Sequence, residues 1–296
     1  TLLGRDLSEE ELLIVQEKFD KMYVTKDIYK IYGWLLEECG YPSLPDVEYE
    51  KRKLEYEDVF PVLYLKYRLS RQAERSNIKH LVIDEMQDYS RLQYLIIRRM
   101  FSCKMTILGD RAQTMADQQQ DVLQFLPGIF GKDLRRIEMR KSYRNTVEIA
   151  SYAANLIGVT DLELFERHGM PVLERNVTDL EAALREAVDT LFPDEKTYET
   201  AAVIVPDEKT AERAYLILRE ILAEKDFDCE KRLSWLNRDS SSFKKGLTVT
   251  TFYLAKGLEF DQVFSIFPKD EKREMMMQAQ YIAATRALHE LRVYHI

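Results

Sequence analysis

HLVIDEMQD, residues 80–88, ends an apolar run on two adjacent carboxylates, Asp84 and Glu85. In open parallel sheets ligands sit outside the carboxyl ends of strands, and an Asp at that place holds Mg²⁺ beside nucleotide phosphates. A Glu directly after it is placed to polarise water. The same letters also read as an ordinary strand-to-helix turn whose acids cap the next helix. A second apolar run, KMTILGDRAQ at 104–113, likewise ends on a carboxylate, Asp110, with Gly109 before it and Gln113 three residues after it. Two strands that deliver polar groups to one sheet edge argue for a site more strongly than either alone.

Further along come KSYRN at 141–145, TVTTFYLAKGLEFDQVF at 248–264 and QYIAATRAL at 280–288. In order and content the five blocks resemble motifs II to VI of the superfamily 1 helicases, the group of UvrD, Rep and PcrA, over roughly residues 80–296. EYEDVFPVLYLKYRL at 55–69 and the wording YLAKGLEFD look closer to the helicase IV and HelD branch, whose HelD-like members are ATPases that act on RNA polymerase.

The resemblance implies ATP and Mg²⁺ as cofactors and a role for each matching residue. Asp84 corresponds to the Mg²⁺-binding carboxylate and Glu85 to the group that orients water, in a reaction that relies on positioning and electrostatics. Gln113 corresponds to the γ-phosphate sensor, with Asp110 beside it. Tyr143 corresponds to the aromatic near adenine, Arg144 to an arginine reaching the γ-phosphate, Gly257 and Glu259 to a pair near phosphate and ribose, and Arg286 to the arginine finger. With both arginines in the second domain, the γ-phosphate is expected to draw the domains together on one cleft and hydrolysis to release them. Plainer readings stand beside these: Arg144 and Arg286 as surface ion-pair partners, Tyr143 as half-buried packing, Glu259 as a cap after Gly257, Asp88 as an inter-motif contact, and His80 and His289 as structural residues.

No G-x-x-x-x-G-K-[ST] phosphate loop occurs in the 296 residues. The nearest string, GIFGKD at 128–133, has its glycines too close together and Asp133 where Ser or Thr is needed; it reads as a loop between domains. These points, with Thr rather than Met at position 1, give the expectation that the chain is the C-terminal part of a longer protein and neither hydrolyses ATP appreciably nor binds it tightly alone.

The expected fold is α/β: two RecA-like domains of P-loop NTPase type, the first incomplete, with parallel sheets flanked by helices and a helical N-terminal segment. Residues 1–78 form that segment, 79–131 the rest of domain 1A, and 132–296 domain 2A without a 2B insertion. Ser8 with Glu11 makes a capping box before Leu12, Val15, Phe19 and Met22; Thr25 opens a second helix that Gly40 ends; a third carries Val59, Val62, Leu63, Leu65 and Leu69. Later strands are expected at LRRIEM (134–139), AAVIVP, LTVTTF, QVFSIF and LRVYHI, and helices at TVEIASYAANLI and KTAERAYLILREIL.

Composition bounds the rest. Hydrophobic content of 46% over 296 residues supports about two cored domains, and no apolar run approaches the roughly 18 residues that span a bilayer. Three cysteines, odd in number and far apart, fit a reducing cytoplasm better than a disulfide framework, and four histidines offer no metal-ligand spacing. The net charge of −8 argues against a surface that coats nucleic acid, leaves a local DNA groove open, and suits a protein partner. Three functions remain: an ATP-driven HelD-like module acting on RNA polymerase, a UvrD- or Rep-type DNA-unwinding helicase, and a non-catalytic interaction module with a decayed ATP site. A monomer is expected.

Overall fold

The computed structural model describes residues 8–21, 25–69, 75, 77–110, 122–131, 134–139, 141–159, 163–192, 198–225, 227–240, 245–269 and 274–296. Contacts divide the chain into two compact units: Thr1–Gly109 with Asp117–Leu134, and Asp110–Ala116 with Arg135–Ile296.

The first unit opens with α1 (Glu9–Lys21). The Ser8 and Glu11 side chains accept reciprocally from each other's backbone N–H at 3.2 and 2.9 Å, a closed capping box. Met22 of the expected apolar stripe lies outside the described residues. In α2 (Ile28–Glu38) the cap is Asp27, whose carboxylate accepts from the Tyr29 N–H, while Thr25 only accepts from Asp27. Asp27 also takes a two-pronged ion pair from Arg52, at 3.0 and 2.6 Å, and the guanidinium lies over the Tyr29 ring. Gly40, at φ +79°, ends α2: its N–H reaches the Glu37 carbonyl and that of Tyr41 the Leu36 carbonyl, the paired bonds of a Schellman turn. α3 (Tyr56–Leu69) joins α2 through a 2.7 Å bond from the Tyr32 hydroxyl to Asp58.

Strand β1 (His80–Ile83) then pairs in parallel with β2 (Lys104–Ile107), His80 opposite Lys104 and Ile83 opposite Ile107. Between them runs α4 (Arg91–Met100), opened by a Ser90–Gln93 capping box. After β2 comes α5 (Val122–Phe130). A small core of Ile83, Tyr94, Val122 and Leu126 holds these elements. The expectation of a loop at GIFGKD is corrected here: Gly128 to Phe130 close the last turn of α5, with Leu126 of the same helix buried in that core; Lys132 and Asp133 lie outside the described residues.

The second unit carries the larger sheet. β3 (Lys141–Ser142) pairs with β4 (Glu163–Leu164), with α6 (Val147–Leu156) between them. There follow β5 (Leu173–Asn176), α7 (Leu180–Asp189), β6 (Thr200–Val205), α8 (Glu208–Ala223), α9 (Cys229–Arg232), β7 (Leu233–Trp235), β8 (Gly246–Thr251), β9 (Phe260–Phe267), α10 (Glu274–Thr285) and β10 (Ala287–His295). Six of these strands form one parallel sheet in the order β5-β10-β9-β6-β8-β7. β6 shows how both faces are filled: Ala201, Val203 and Val205 pack with Leu184 of α7 and Leu218 of α8, and Ala202 and Ile204 with Ile149 of α6 and Ile282 of α10. A strand buried on both sides must be apolar throughout, as AAVIV is. The fold is thus mixed α/β, with a six-stranded parallel sheet flanked by helices.

LRRIEM does not form the expected strand. Among the described residues no strand pairs with 134–139, and Ile137 and Met139 are 72% and 85% exposed, so the apolar letters there build no core. The short edge strands β5 and β7 went unseen in the sequence: LERN and LSW are too few residues to show a period of two.

Candidate functional site

In the first unit the two carboxylates stand just past the carboxyl end of β1. Asp84 is exposed, and its Oδ1 accepts from the Glu85 N–H at 2.8 Å. Glu85 sits at φ +50°, left-handed backbone that a non-glycine residue rarely occupies, and its Oε2 accepts from the buried Gln87 amide at 2.5 Å. The turn is held from two sides. The Met86 N–H reaches the Leu108 carbonyl at 2.8 Å, and the Tyr94 hydroxyl donates to the Met86 carbonyl at 3.0 Å from a fully buried ring. Gly109 makes the close approach feasible, since a Cβ there would lie 2.7 Å from the Met86 backbone nitrogen and overlap the Met86 and Gln87 side chains. The result is a strained acidic turn with its carboxylates at the strand end. An exposed Asp beside a second carboxylate suits Mg²⁺, which is usually held by one or two carboxylates together with substrate phosphates.

In the second unit the resembling residues gather where β9 and β10 begin, Phe260 opposite Ala287. Arg144 Nε meets Glu259 Oε1 at 2.6 Å, with both side chains nearly half exposed. Next to it the Tyr143 ring is 64% exposed, set 5.6 Å from Phe165, with the Lys141 ammonium over both rings. Glu138, Met139, Lys141, Tyr143 and Glu163 line an open depression of about 420 Å³. Gly257, at φ +76°, turns the chain between Thr251 and Glu259.

Arg286 is almost fully buried. Its guanidinium donates to the Ile282 and Leu258 carbonyls, each at 3.3 Å, and to Thr285 Oγ1 at 3.2 Å. It thereby ties the GLE turn to the end of α10. Asp110, which the contacts place in this unit, accepts from the Tyr281 hydroxyl at 3.1 Å. Burial pushes that hydroxyl's pKa up and Asp110 pushes it further, while Arg286 and Arg144 act in the opposite sense; both guanidinia therefore lie within electrostatic reach of it. The structure thus groups Asp110, Arg144, Glu259 and Arg286 within the second unit and Asp84 with Glu85 in the first; Gln113 lies outside the described residues.

Three residues given no role in the sequence reading hold this arrangement. Buried Asn145 donates to the Thr285 and Ala287 carbonyls at 3.2 and 2.6 Å, clamping KSYRN onto ATRAL. Arg167 donates to the Arg144 and Leu288 carbonyls. Tyr281 is the third. Asn145 and Tyr281 stand inside the quoted blocks and could have been singled out; Arg167 has no local signal. His80 bonds Thr106 across β1 and β2, and His289 stacks on Tyr198. Asp261 accepts from the Glu199 and Thr200 N–H groups and from the Thr200 hydroxyl, fastening β9 to β6.

Among the described residues no helix is long and apolar enough to cross a membrane. No curated protein matches the chain. Among solved structures, the C-terminal domain of a possible DNA helicase from Lactobacillus plantarum WCFS1 is 24% identical over 52% of this chain and 88% of that one, with a TM-score of 0.41. The PRRSV helicase is 16% identical, covering 73% of this chain and 35% of its own, at TM-score 0.40. The Arterivirus nonstructural protein 10 helicase, in complex with DNA, is 14% identical, covering 74% and 40%, also at 0.40. The chain thus spans well under half the length of the two viral helicases. Residues 5–115, the stretch that carries α1 to β2 and the Asp84–Glu85 turn, match the UvrD/REP helicase N-terminal domain, and in that part the chain is similar to the UvrD-type helicases.

Proposed function

We propose that the chain is a motor region of an ATP-dependent superfamily 1 helicase-like protein, coupling ATP hydrolysis to the movement or remodelling of nucleic-acid complexes. The observation that carries this reading is the acidic turn after β1, strained at Glu85 and packed against Gly109, inside the stretch that matches a helicase domain. In this reading Asp84 holds Mg²⁺ and Glu85 orients the attacking water. Tyr143 offers its exposed face to the base, Arg144 and Glu259 serve phosphate and ribose, and Gln113, Asp110, Gly257 and Arg286 complete the set. Bound ATP·Mg²⁺ supplies the phosphoryl group to be transferred, and the residues contribute position and electrostatics. Residues 79–131 correspond to the remainder of domain 1A and 132–296 to domain 2A without a 2B insertion, with 1–78 as a helical segment of the first.

The finer assignment is a HelD-like monomer in the cytoplasm that acts on RNA polymerase. The acidic balance of 51 carboxylates against 43 basic side chains favours a protein partner over duplex unwinding. A polymerase pull-down set against strand displacement on a forked duplex separates the two: displacement without polymerase capture returns the reading to a UvrD- or Rep-type helicase. Lacking a phosphate loop within its 296 residues, the chain alone is expected to turn over ATP negligibly. Turnover typical of an intact motor, abolished by Glu85→Gln, would overturn that expectation. Joined to a phosphate loop, the expected phenotype of Glu85→Gln is ATP binding with stalled hydrolysis; turnover within about threefold of the parent removes Glu85 from its role.

A further inference from the structure

The large sheet has two covered faces, and the nucleotide reading uses one of them. Arg144 leads into α6 and Arg286 follows α10, the helices of one face; α7 and α8 pack on the other. Between α7, α8 and α9 an open cavity of about 120 Å³ is lined by the apolar side chains of Val188, Phe192, Leu222 and Phe227, with the exposed residues Lys225 and Arg232 beside them. The Arg232 guanidinium lies over two rings, 5.0 Å from the centroids of both Phe192 and Phe227. The first ring is firmly placed: Phe192 has left-handed backbone at φ +51°, and its N–H donates to the buried Gln262 amide oxygen at 3.1 Å. Two ring contacts orient the guanidinium plane while leaving its N–H donors unused. Lys225 pairs with Asp189, whereas Arg232 has no ion-pair partner among the described residues.

These features define an occupant. The cavity has the room of one aliphatic side chain, well below the roughly 300 to 1,000 Å³ of pockets that enclose a cofactor or nucleotide. Its apolar walls suit a hydrocarbon group, and an oriented, unpaired guanidinium suits a carboxylate next to that group. Because the cavity is open, a chain carrying the group can continue past it. We propose that this cavity docks an acidic segment of a partner protein, which inserts one Leu, Ile or Val side chain and sets a neighbouring carboxylate on Arg232. The net charge of −8 disfavours acidic segments over the surface as a whole, so recognition falls to this cation and the apolar contact behind it. The site stands apart from the nucleotide reading and holds whether or not that reading does.

The test follows the Arg232 Nε–H and the Val188 and Leu222 methyl resonances of the 296-residue chain during titration with the blocked peptide Asp-Glu-Leu-Asp-Glu. The peptide is expected to move all three signals. Replacing its leucine by serine, or its acids by their amides, is expected to weaken binding about tenfold each, the weight of one apolar anchor or one charged hydrogen-bonded contact. These peptide changes probe the contacts without touching the protein's fold. Arg232→Gln is expected to lose as much as the amide peptide does, and Arg232→Lys, which keeps the charge but not the planar fork, to fall between. No shift at millimolar peptide, or equal affinity for the parent and Arg232→Gln, overturns the proposal. Isocaproate binding as tightly as the peptide makes the cavity a site for small acids and overturns the protein partner. An oligothymidylate that moves the same signals in the parent but not in Arg232→Gln assigns the cavity to nucleic acid and overturns it equally.

Discussion

The two units place their polar groups at opposite ends of their strands. In the first, Asp84 and Glu85 follow the carboxyl end of β1; in the second, Glu259 and Arg286 immediately precede β9 and β10. The supports differ as much. Among the described residues the acidic turn rests on a core of four buried side chains and two strands with much of their surface open, Val82 being 60% exposed, whereas the arginine–glutamate pair stands on a six-stranded sheet covered on both faces. The lesson is that the usual rule, which looks for ligands at strand carboxyl ends, finds the first group and misses the second. The second is found through its clamps: Asn145, Arg167 and Arg286 spend their donors on backbone carbonyls around the pair.

The largest expected difference between the units is in amide exchange. Strand amides buried on both faces open only with the whole unit, while thinly covered ones open locally. The amides of Val203, Ile204 and Val249 should exchange about a hundredfold or more slowly than those of Leu81, Val82 and Thr106. Equal protection in hydrogen exchange by NMR breaks the comparison.

Next in size is Gly246→Ala. Gly246 adopts φ +115°, and a Cβ there would overlap the Arg232 carbonyl, 2.8 Å from its carbon. Strain and overlap together should cost the second unit about 4 kcal/mol, and a two-step denaturant melt should show only that unit's transition move. A shift of both transitions would mean that the units do not unfold separately.

Arg286→Ala comes third. It removes a buried cation that bonds Ile282, Leu258 and Thr285, and should cost the second unit about 2 to 3 kcal/mol. A melt unchanged within about 0.5 kcal/mol would mean that the guanidinium carries no structural share.

The smallest effect is a pH dependence. A hydrogen bond from His168, with backbone N–H groups including that of Gly169, holds the Glu148 carboxyl down at about 2 from its ordinary 4.5. A depressed carboxyl stabilises above its unfolded pKa, so this contribution is complete above about pH 4.5 and fades as pH falls toward 2. Glu148→Gln should flatten the second unit's melting temperature across that window and leave the first unit's profile alone; an unchanged slope removes Glu148 as its source.

Legibility in the sequence followed how local each feature is. The Ser8–Glu11 capping box, Gly40 at the end of α2, and β6 with its following helix α8 were readable because their signals fall within a few residues. Asp27 took the cap from Thr25 because its carboxylate also pairs with Arg52, 25 residues away. LRRIEM has the letters of a strand, but a strand exists only when another presents its ladder, and among the described residues none presents one to 134–139. Likewise KSYRN, AKGLEFD and QYIAATRAL were visible as blocks, while the burial of Arg286 beneath them was not.

What the sequence alone determined is the set of building pieces: apolar runs of strand length, amphipathic helices with their caps, and polar letters at the run ends. Periodicity and capping act over single turns, so one stretch of chain carries them. The tertiary structure decided the strand order β5-β10-β9-β6-β8-β7, the pairing of Arg144 with Glu259 across 115 positions, and which arginine is buried and which meets solvent. The reason is physical: pairing and burial are shared by residues distant in the chain, and a side chain's surroundings are set by elements whose letters lie elsewhere.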